Sequence, residues 1–252
     1  MSFGAVDIGN TAVKLAIWNA EGQPALWQSG ALQSVAEAAS ELARYGVTEV
    51  AYSTTRNLSE EEKTFVESEG WWRFTTGCRL PVGIRYATPE TLGLDRLAGA
   101  VAAVALYPGE AVLIADSGTA LTLDVVSASG EFLGGNISAG LAMRIKALHQ
   151  FTSRLPEVDL VDDGGLIGSD TMQALRLGAI QGLSYEIAGT LAMALHEFGC
   201  RRLVLTGGSA RFLKRAIDEA VALIVSEDVF CDFVPELVEY GLKVAYDYNH
   251  DK

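Results

Sequence analysis

The amino-acid sequence predicts an α/β protein made of two similar halves. Three observations carry this. Residues 5–18, AVDIGNTAVKLAIW, are matched by residues 113–126, LIADSGTALTLDVV: each sets an Asp after an apolar run, then a Gly-Thr turn, then alternating β-type residues. Each copy continues into a small polar turn, NAEG at 19–22 and SASG at 127–130. The remainder of each half alternates strand-like with helix-like segments, which is the pattern of an α/β architecture. Hydrophobic residues form 49% of the 252, so a substantial core can be buried over the length of two modest domains.

Alternating Val, Ile, Leu and Thr favours strands, and clusters of small polar residues favour tight turns. After the first hairpin, residues 34–45 read as an amphipathic helix and EVAYSTT at 49–55 as a strand. SEEEKTFVESE at 59–69 opens with a Ser N-cap and an acidic first turn, where carboxylates meet the positive end of the helix. Residues 91–106 read as an Ala-rich helix. In the second half, 141–153 and 170–198 read as helices and RLVLTGG at 202–208 as a buried strand ending in a Gly turn. Residues 209–221 and 236–248 read as helices, and VDDGGLIGSD at 161–170 as a loop. The expected boundary lies near Pro108–Gly109, giving domains 1–108 and 109–252.

A formal net charge of −13 opposes binding to nucleic acid or an anionic membrane, and the 19 Lys and Arg are scattered rather than gathered into a patch. The same acidity opposes an anionic nucleotide. Phosphate binding therefore needs backbone N–H groups, a few basic residues and a metal ion. Cys78, Cys200 and Cys231 are odd in number and far apart, which suggests reduced, buried thiols rather than a disulfide framework or a zinc site. No uncharged run of about 18 apolar residues occurs, and the N-terminus reaches Asp7 without a basic n-region. A soluble, cytoplasmic protein is expected.

The first chemical motif is Asp7-Ile8-Gly9-Asn10-Thr11, with Lys14 three residues on. A carboxylate at a strand end can hold hydrated Mg²⁺, Gly lets backbone approach a phosphate, and Lys supplies a point charge. Alone, the motif reads equally as an ordinary hairpin. The second, Asp116-Ser117-Gly118-Thr119-Ala120, strengthens the first, because a nucleotide held between two halves needs a turn from each. Thr206-Gly207-Gly208-Ser209-Ala210 is a third Gly turn, between a strand and a helix. No P-loop or dinucleotide fingerprint occurs. Gly93-Leu94-Asp95-Arg96 precedes the Ala-rich helix. Its Asp can accept the proton of an attacking alcohol and its Arg can bind a carboxylate, or the two can be a helix cap and an ion pair.

This ordered set resembles the acetate and sugar kinase/Hsp70/actin superfamily, and most closely the type III pantothenate kinases. The likeness covers nearly the whole chain. It runs from Asp7 to Lys14, through Tyr86-Ala87-Thr88-Pro89-Glu90-Thr91-Leu92-Gly93-Leu94-Asp95-Arg96, to Asp116 to Ala120 with Thr122. It continues with Gly134-Gly135-Asn136-Ile137 and Gly140, Leu155-Pro156, Thr171 and the Thr206 turn. The resemblance implies duplicated ribonuclease H-like halves, with mixed sheets, flanking helices and the active site in a cleft. It implies phosphorylation of pantothenate by ATP, with Mg²⁺ and a monovalent cation (K⁺ or NH₄⁺), in a homodimer.

By the same resemblance Asp95 is the catalytic base, and Tyr86, Gly93, Leu94, Asp95, Arg96 and Thr171 line the pantothenate site. Asp7, Ile8, Gly9, Asn10, Thr11, Ala12, Val13, Lys14 and Thr119 meet ATP. Asp116 holds the monovalent cation, and Asp7 is the candidate for Mg²⁺. Plainer readings stand beside these: Tyr86 as a half-buried sheet tyrosine, Thr171 as the neighbour of an N-cap, and His149, His196, His250 and the Trp71-Trp72 pair as packing or surface residues. One departure is Ala139, where the family usually has Pro before Gly140, so that φ is less restrained there. Ser117 stands where Ala or Cys is more usual. Two alternatives keep part of the pattern: a kinase of another small acid or alcohol, and a nucleotide-binding regulator without turnover.

Overall fold

Strand and helix alternate along most of the chain, and the computed structural model, which describes residues 2–250 (backbone only at 28–31), resolves them into two units. The first comprises residues 1–109, 128–134 and 236–252, the second residues 110–127 and 135–235. A single boundary near residue 108 therefore accounts only for the first crossing. The chain returns to unit 1 for the turn after the second hairpin and again for its last helix.

In unit 1, β1 (Phe3–Ile8), β2 (Val13–Trp18), β3 (Pro24–Leu32), β4 (Glu49–Thr54) and β5 (Trp72–Arg73) form a sheet in the order β3-β2-β1-β4-β5. The β1–β2 and β2–β3 pairs are antiparallel, and β4 is parallel to β1 and β5 to β4, so the sheet is mixed. β1 and most of β2 are buried, as their near-continuous apolar runs demand. Val6, Ile8, Val13, Leu15 and Ile17 pack with Val35, Ala38 and Leu42 of α1 (Val35–Arg44) and with Val66 of α2 (Glu60–Ser68). Ser59 caps α2 in a full capping box: its side chain accepts from Glu62 N, and Glu62 reaches back to Ser59 N. Trp71 packs edge-on to Phe65, and Trp72 edge-on to Tyr246, so this pair is packing.

The Ala-rich segment forms a 3₁₀ turn at Pro89–Thr91 and then α3 (Leu94–Leu106), later than its composition suggests because Pro89 and Gly93 interrupt the helical path. Residues 97–103 of α3 are all buried, and α7 (Leu237–Asn249) packs along it. Small residues set this contact. A Cβ on Gly241 would stand 1.9 Å from the Ala98 carbonyl oxygen. Short β6 (Gly83–Ile84) pairs in parallel with Glu131–Phe132, the start of β9 (Glu131–Ala139).

Unit 2 carries the second copy of the hairpin, β7 (Val112–Ser117) and β8 (Ala120–Val126). Its sheet runs β11-β10-β7-β8-β9, with β10 (Arg202–Thr206) and β11 (Phe230–Phe233) parallel to β7. The helices are α4 (Leu141–Gln150), α5 (Thr171–Phe198), capped by Asp170 and ended by Gly199 at φ +72°, and α6 (Ala210–Ile224). Buried residues from β7, β8, β10, α5 and α6, among them Leu113, Leu123, Leu183, Ile187, Leu203 and Leu213, make this core. Residues 151–170 connect α4 to α5 without regular structure. The thiol of Cys200 is fully buried and pushed up to about 11 by that burial. Among the described residues no helix is long and apolar enough to cross a membrane.

The α3–α7 contact yields a prediction. Helix propensity alone favours Ala over Gly by about 1 kcal/mol. At Gly241 the clash with a backbone carbonyl outweighs that gain. Gly241→Ala should therefore lower unfolding stability by about 1–3 kcal/mol, read as a lower urea midpoint. A midpoint equal to or above the parent's would show that the helices separate freely.

Candidate active site

The Asp7 carboxylate is only 3% exposed and is placed by register. The antiparallel β1–β2 pairing sets Lys14 opposite it, and the parallel β1–β4 pairing sets Ser53 on its other side. Ser53 Oγ donates to Asp7 Oδ1 at 2.8 Å, and Lys14 Nζ lies 3.5 Å from Oδ2. The ammonium expected to meet a phosphate thus already faces a carboxylate of its own hairpin. Ile8 and Val13 pair with each other and are buried, so their side chains serve the core and only their main chain can face a ligand. Gly9 N donates to Ala12 O at 3.1 Å, leaving Asn10 and Thr11 exposed at the tip of the turn.

Asp95 is the second residue of α3. Its Oδ1 accepts from Arg96 N at 2.9 Å, so it does serve the first helical turn. Gly93 makes that conformation available: a Cβ there would stand 2.5 Å from Asp95 Oδ1. Burial pushes the Asp95 carboxyl above its ordinary range, and the negative charge of Asp7 adds to the rise. The Arg96 backbone N–H and the Lys14 charge pull it back down. Asp7, Lys14 and Asp95 are therefore electrostatically one group. Arg96 is buried, with its guanidinium carbon 5.6 Å from the ring centroids of both Tyr86 and Phe132. Tyr86 is half-buried, with one face toward Phe132 at a centroid separation of 5.9 Å.

In unit 2 the structure brings together turns that lie far apart in sequence. A Cβ on Gly207, whose φ is +92°, would stand 2.3 Å from Asp116 Oδ1, and one on Gly140 would stand 2.4 Å from the carbonyl oxygens of Gly118 and Thr119. Ser209 N donates to Ser117 O and Gly140 N to Thr119 O. Two glycine turns, at Gly140 and Gly207, thus converge on Asp116–Thr119. Ala139 is held without proline, since its carbonyl accepts from Arg144 Nε at 2.8 Å. Ser117 Oγ is buried and, among the described residues, has no hydrogen-bond partner. Thr206, also buried, donates to Pro235 O, so it belongs to the frame of its turn.

The two hairpins differ in a way that the residue-by-residue match conceals. Four residues join β1 to β2, but two join β7 to β8. Aligned on their aspartates, Lys14 opposite Asp7 corresponds to Thr122 opposite Asp116. The first carboxylate has a built-in cation across the ladder; the second has an uncharged hydroxyl.

The family model described as type III pantothenate kinase matches residues 5–193. This chain belongs to that family. Proteins named type III pantothenate kinase are 35% identical in Bacteroides fragilis (98% of each chain covered) and 37% identical in Porphyromonas gingivalis (99% of this chain and all of the relative). Among solved structures, a ROK family glucokinase from Streptomyces griseus in complex with glucose and AMPPNP superposes over the whole of both chains with a TM-score of 0.56 at 11% identity. The activator of 2-hydroxyisocaproyl-CoA dehydratase from Clostridium difficile with bound ADPNP does so over 100% and 96% with 0.55 at 12%. At such identities these neighbours bear on the fold alone, which is that of the actin-like ATPases.

Thr171 is the first residue of α5, exposed, next to the capping Asp170. His149 Nδ1 lies 2.8 Å from the carbonyl of Leu155, and His250 stacks on Tyr246. The sequence reading passed over Phe132. Its signal was available in retrospect, because it stands two residues before the Gly134-Gly135 pair and so shares a strand face with Gly134.

The charges around Asp95 set a pH prediction for the phosphotransfer activity of the family. An essential carboxylate whose pKa is raised protonates earlier as pH falls, so kcat/KM declines at a higher pH than for an ordinary Asp. Asp7→Asn removes a charge that raises the pKa and should move this acid limb to lower pH. Lys14→Met removes one that lowers it and should move the limb upward. The midpoint of the limb, not the rate plateau, is the measurement. Shifts in the same direction would break the assignment.

Proposed function

We propose that this chain transfers the γ-phosphoryl group of ATP to the hydroxyl of pantothenate, giving 4′-phosphopantothenate at the entry to coenzyme A biosynthesis. The observation that carries the reading is Asp95, a carboxylate of raised basicity at the start of α3, with the buried Arg96 beside it. The acceptor is an acid and an alcohol at once, and these two adjacent side chains answer both groups. Asp95 takes the proton as the acceptor oxygen bonds to the γ-phosphorus. The bond from that phosphorus to the β,γ-bridging oxygen breaks, and ADP leaves with the electron pair. Arg96 orients the acceptor through its carboxylate, and Tyr86, Gly93 and Leu94 line that side.

The turn from Gly9 to Lys14, with Asp7 behind it, and Thr119 in unit 2 are the proposed contacts to ATP. Among the described residues no cluster of three or more His, Cys, Asp or Glu is fit to hold a metal. That suits Mg²⁺ held largely by phosphates and water, with Asp7 accepting from metal-bound waters. When bound, the ion offsets the charge of the transferring phosphoryl group. Asp116 and the main-chain oxygens of its turn are an all-oxygen donor set, which suits K⁺ or NH₄⁺, and Thr122 opposite brings no competing ammonium. We further propose a cytoplasmic homodimer, with Thr171 on the acceptor side. Met143, Leu148 and Phe151 of the α4 region and Met172 and Met193 of α5 are exposed apolar side chains that such an interface would cover.

Two substitutions separate the carboxylates. Asp95→Asn should lower kcat by roughly 10²–10⁴-fold, with both substrates still bound. Asp116→Asn should weaken productive ATP binding and blunt activation by K⁺. The measurements are kcat, KM for each substrate and the K⁺ dependence of each variant. A near-normal kcat for the first would leave Asp95 as a helix cap only, and parental K⁺ activation in the second would remove the cation from Asp116. Light scattering should give twice the chain mass at micromolar concentration; a monomer would overturn the dimer.

A further inference from the structure

We propose that Phe132 is a positioning residue for acceptor specificity: with Tyr86 it clamps the guanidinium of Arg96 in the orientation that reads the acceptor's carboxylate. The proposal rests on the reading that Arg96 binds that carboxylate, and it adds how the charge is held.

The geometry is close to an equilateral triangle. The Arg96 guanidinium carbon stands 5.6 Å from the centroid of each ring, and the two centroids are 5.9 Å apart with their planes tilted by 59°. Both separations lie within the range in which a ring face attracts a cation, and burial strengthens that attraction. Phe132 is fully buried and Arg96 nearly so. A buried guanidinium with one aromatic wall can still swing about its long side chain. Two tilted walls restrict that swing, and a held guanidinium is what bidentate recognition of a planar carboxylate requires.

The arrangement is built by strand register. Gly83 pairs with Glu131 and Ile84 with Phe132 in parallel, and Arg85 N donates to Phe132 O at 3.0 Å. Continued two residues, this register brings Tyr86 to Gly134 on the same face as Phe132. Gly134 has a φ of +117°, and the Tyr86 ring lies 3.6 Å from where its Cβ would be. The positive φ is what calls for glycine at 134, and the Tyr86 ring rests at ordinary van der Waals distance from it. Arg96 is brought to the two rings by the first turn of α3. Nothing in the chemistry of phosphoryl transfer calls for a phenyl ring at position 132; holding the guanidinium does.

The experiment compares pantothenate with the primary alcohol obtained by reducing its carboxylate, using kcat/KM for each in the parent, in Phe132→Leu, and in proteins carrying mono- to trifluorinated phenylalanine at 132. Fluorination keeps the ring's shape and drains its face of negative charge, so it reports on the clamp even if the Leu variant fails to fold. The parent should prefer pantothenate. Phe132→Leu should reduce that preference by about threefold to thirtyfold with the alcohol little affected, and successive fluorines should reduce it stepwise. If the parent shows no preference, Arg96 does not read the carboxylate, and both the reading and the clamp fall. If the parent prefers pantothenate but fluorination leaves the preference unchanged, or both acceptors decline together, the reading stands and Phe132 is packing only.

Discussion

The surroundings of Asp95 depend on placing two carboxylates and one ammonium in a largely buried setting. Burial raises the Asp95 carboxyl, the negative charge of Asp7 adds to the rise, and Lys14 works against it. Without the ammonium, the Asp95 carboxyl would rise further, and without Asp7 it would rise less. Lys14 can do this because a strand register holds it opposite Asp7, so a hairpin built of ordinary apolar residues fixes the electrostatics of a residue almost ninety positions away.

That arrangement requires α3 to stay where it is. Its first turn carries Asp95 and Arg96, and the next two turns are buried to the last side chain. The helix that packs along it, α7, comes from the far end of the sequence, and their approach is close enough that Gly241 faces the Ala98 carbonyl with no room for a methyl group. Small residues here do structural work: they allow the backbones of two helices to set the position of Asp95 and Arg96.

The second unit solves a different problem with the same hairpin. A shorter connection and a threonine in place of the lysine leave Asp116 facing a hydroxyl across the ladder. Glycines 118, 140 and 207 press backbone against this aspartate and its neighbours, two of them at positions where any side chain would collide. A duplicated element has thus diverged by one cross-strand residue and a loop length, one copy setting an ammonium and the other a hydroxyl opposite its aspartate.

By itself the sequence determined the element types, because apolar periodicity and cap chemistry act within a few residues. Ser59 with Glu62, Asp170 before α5 and the Asp-Gly-Thr turns were all legible, and the family pattern named Asp95, Arg96 and Tyr86. The two-residue strands β5 and β6 and the short β11 were not, since segments so short have no period of their own and exist only through pairing. The return of 128–134 and 236–252 to the first unit, the Lys14–Asp7 ion pair, the meeting of the Gly140 and Gly207 turns on the Asp116–Thr119 turn and the placing of Phe132 against Arg96 were decided only by tertiary structure. Each depends on register or on helix packing between residues far apart in the chain, and such contacts leave no periodic signal in a single sequence.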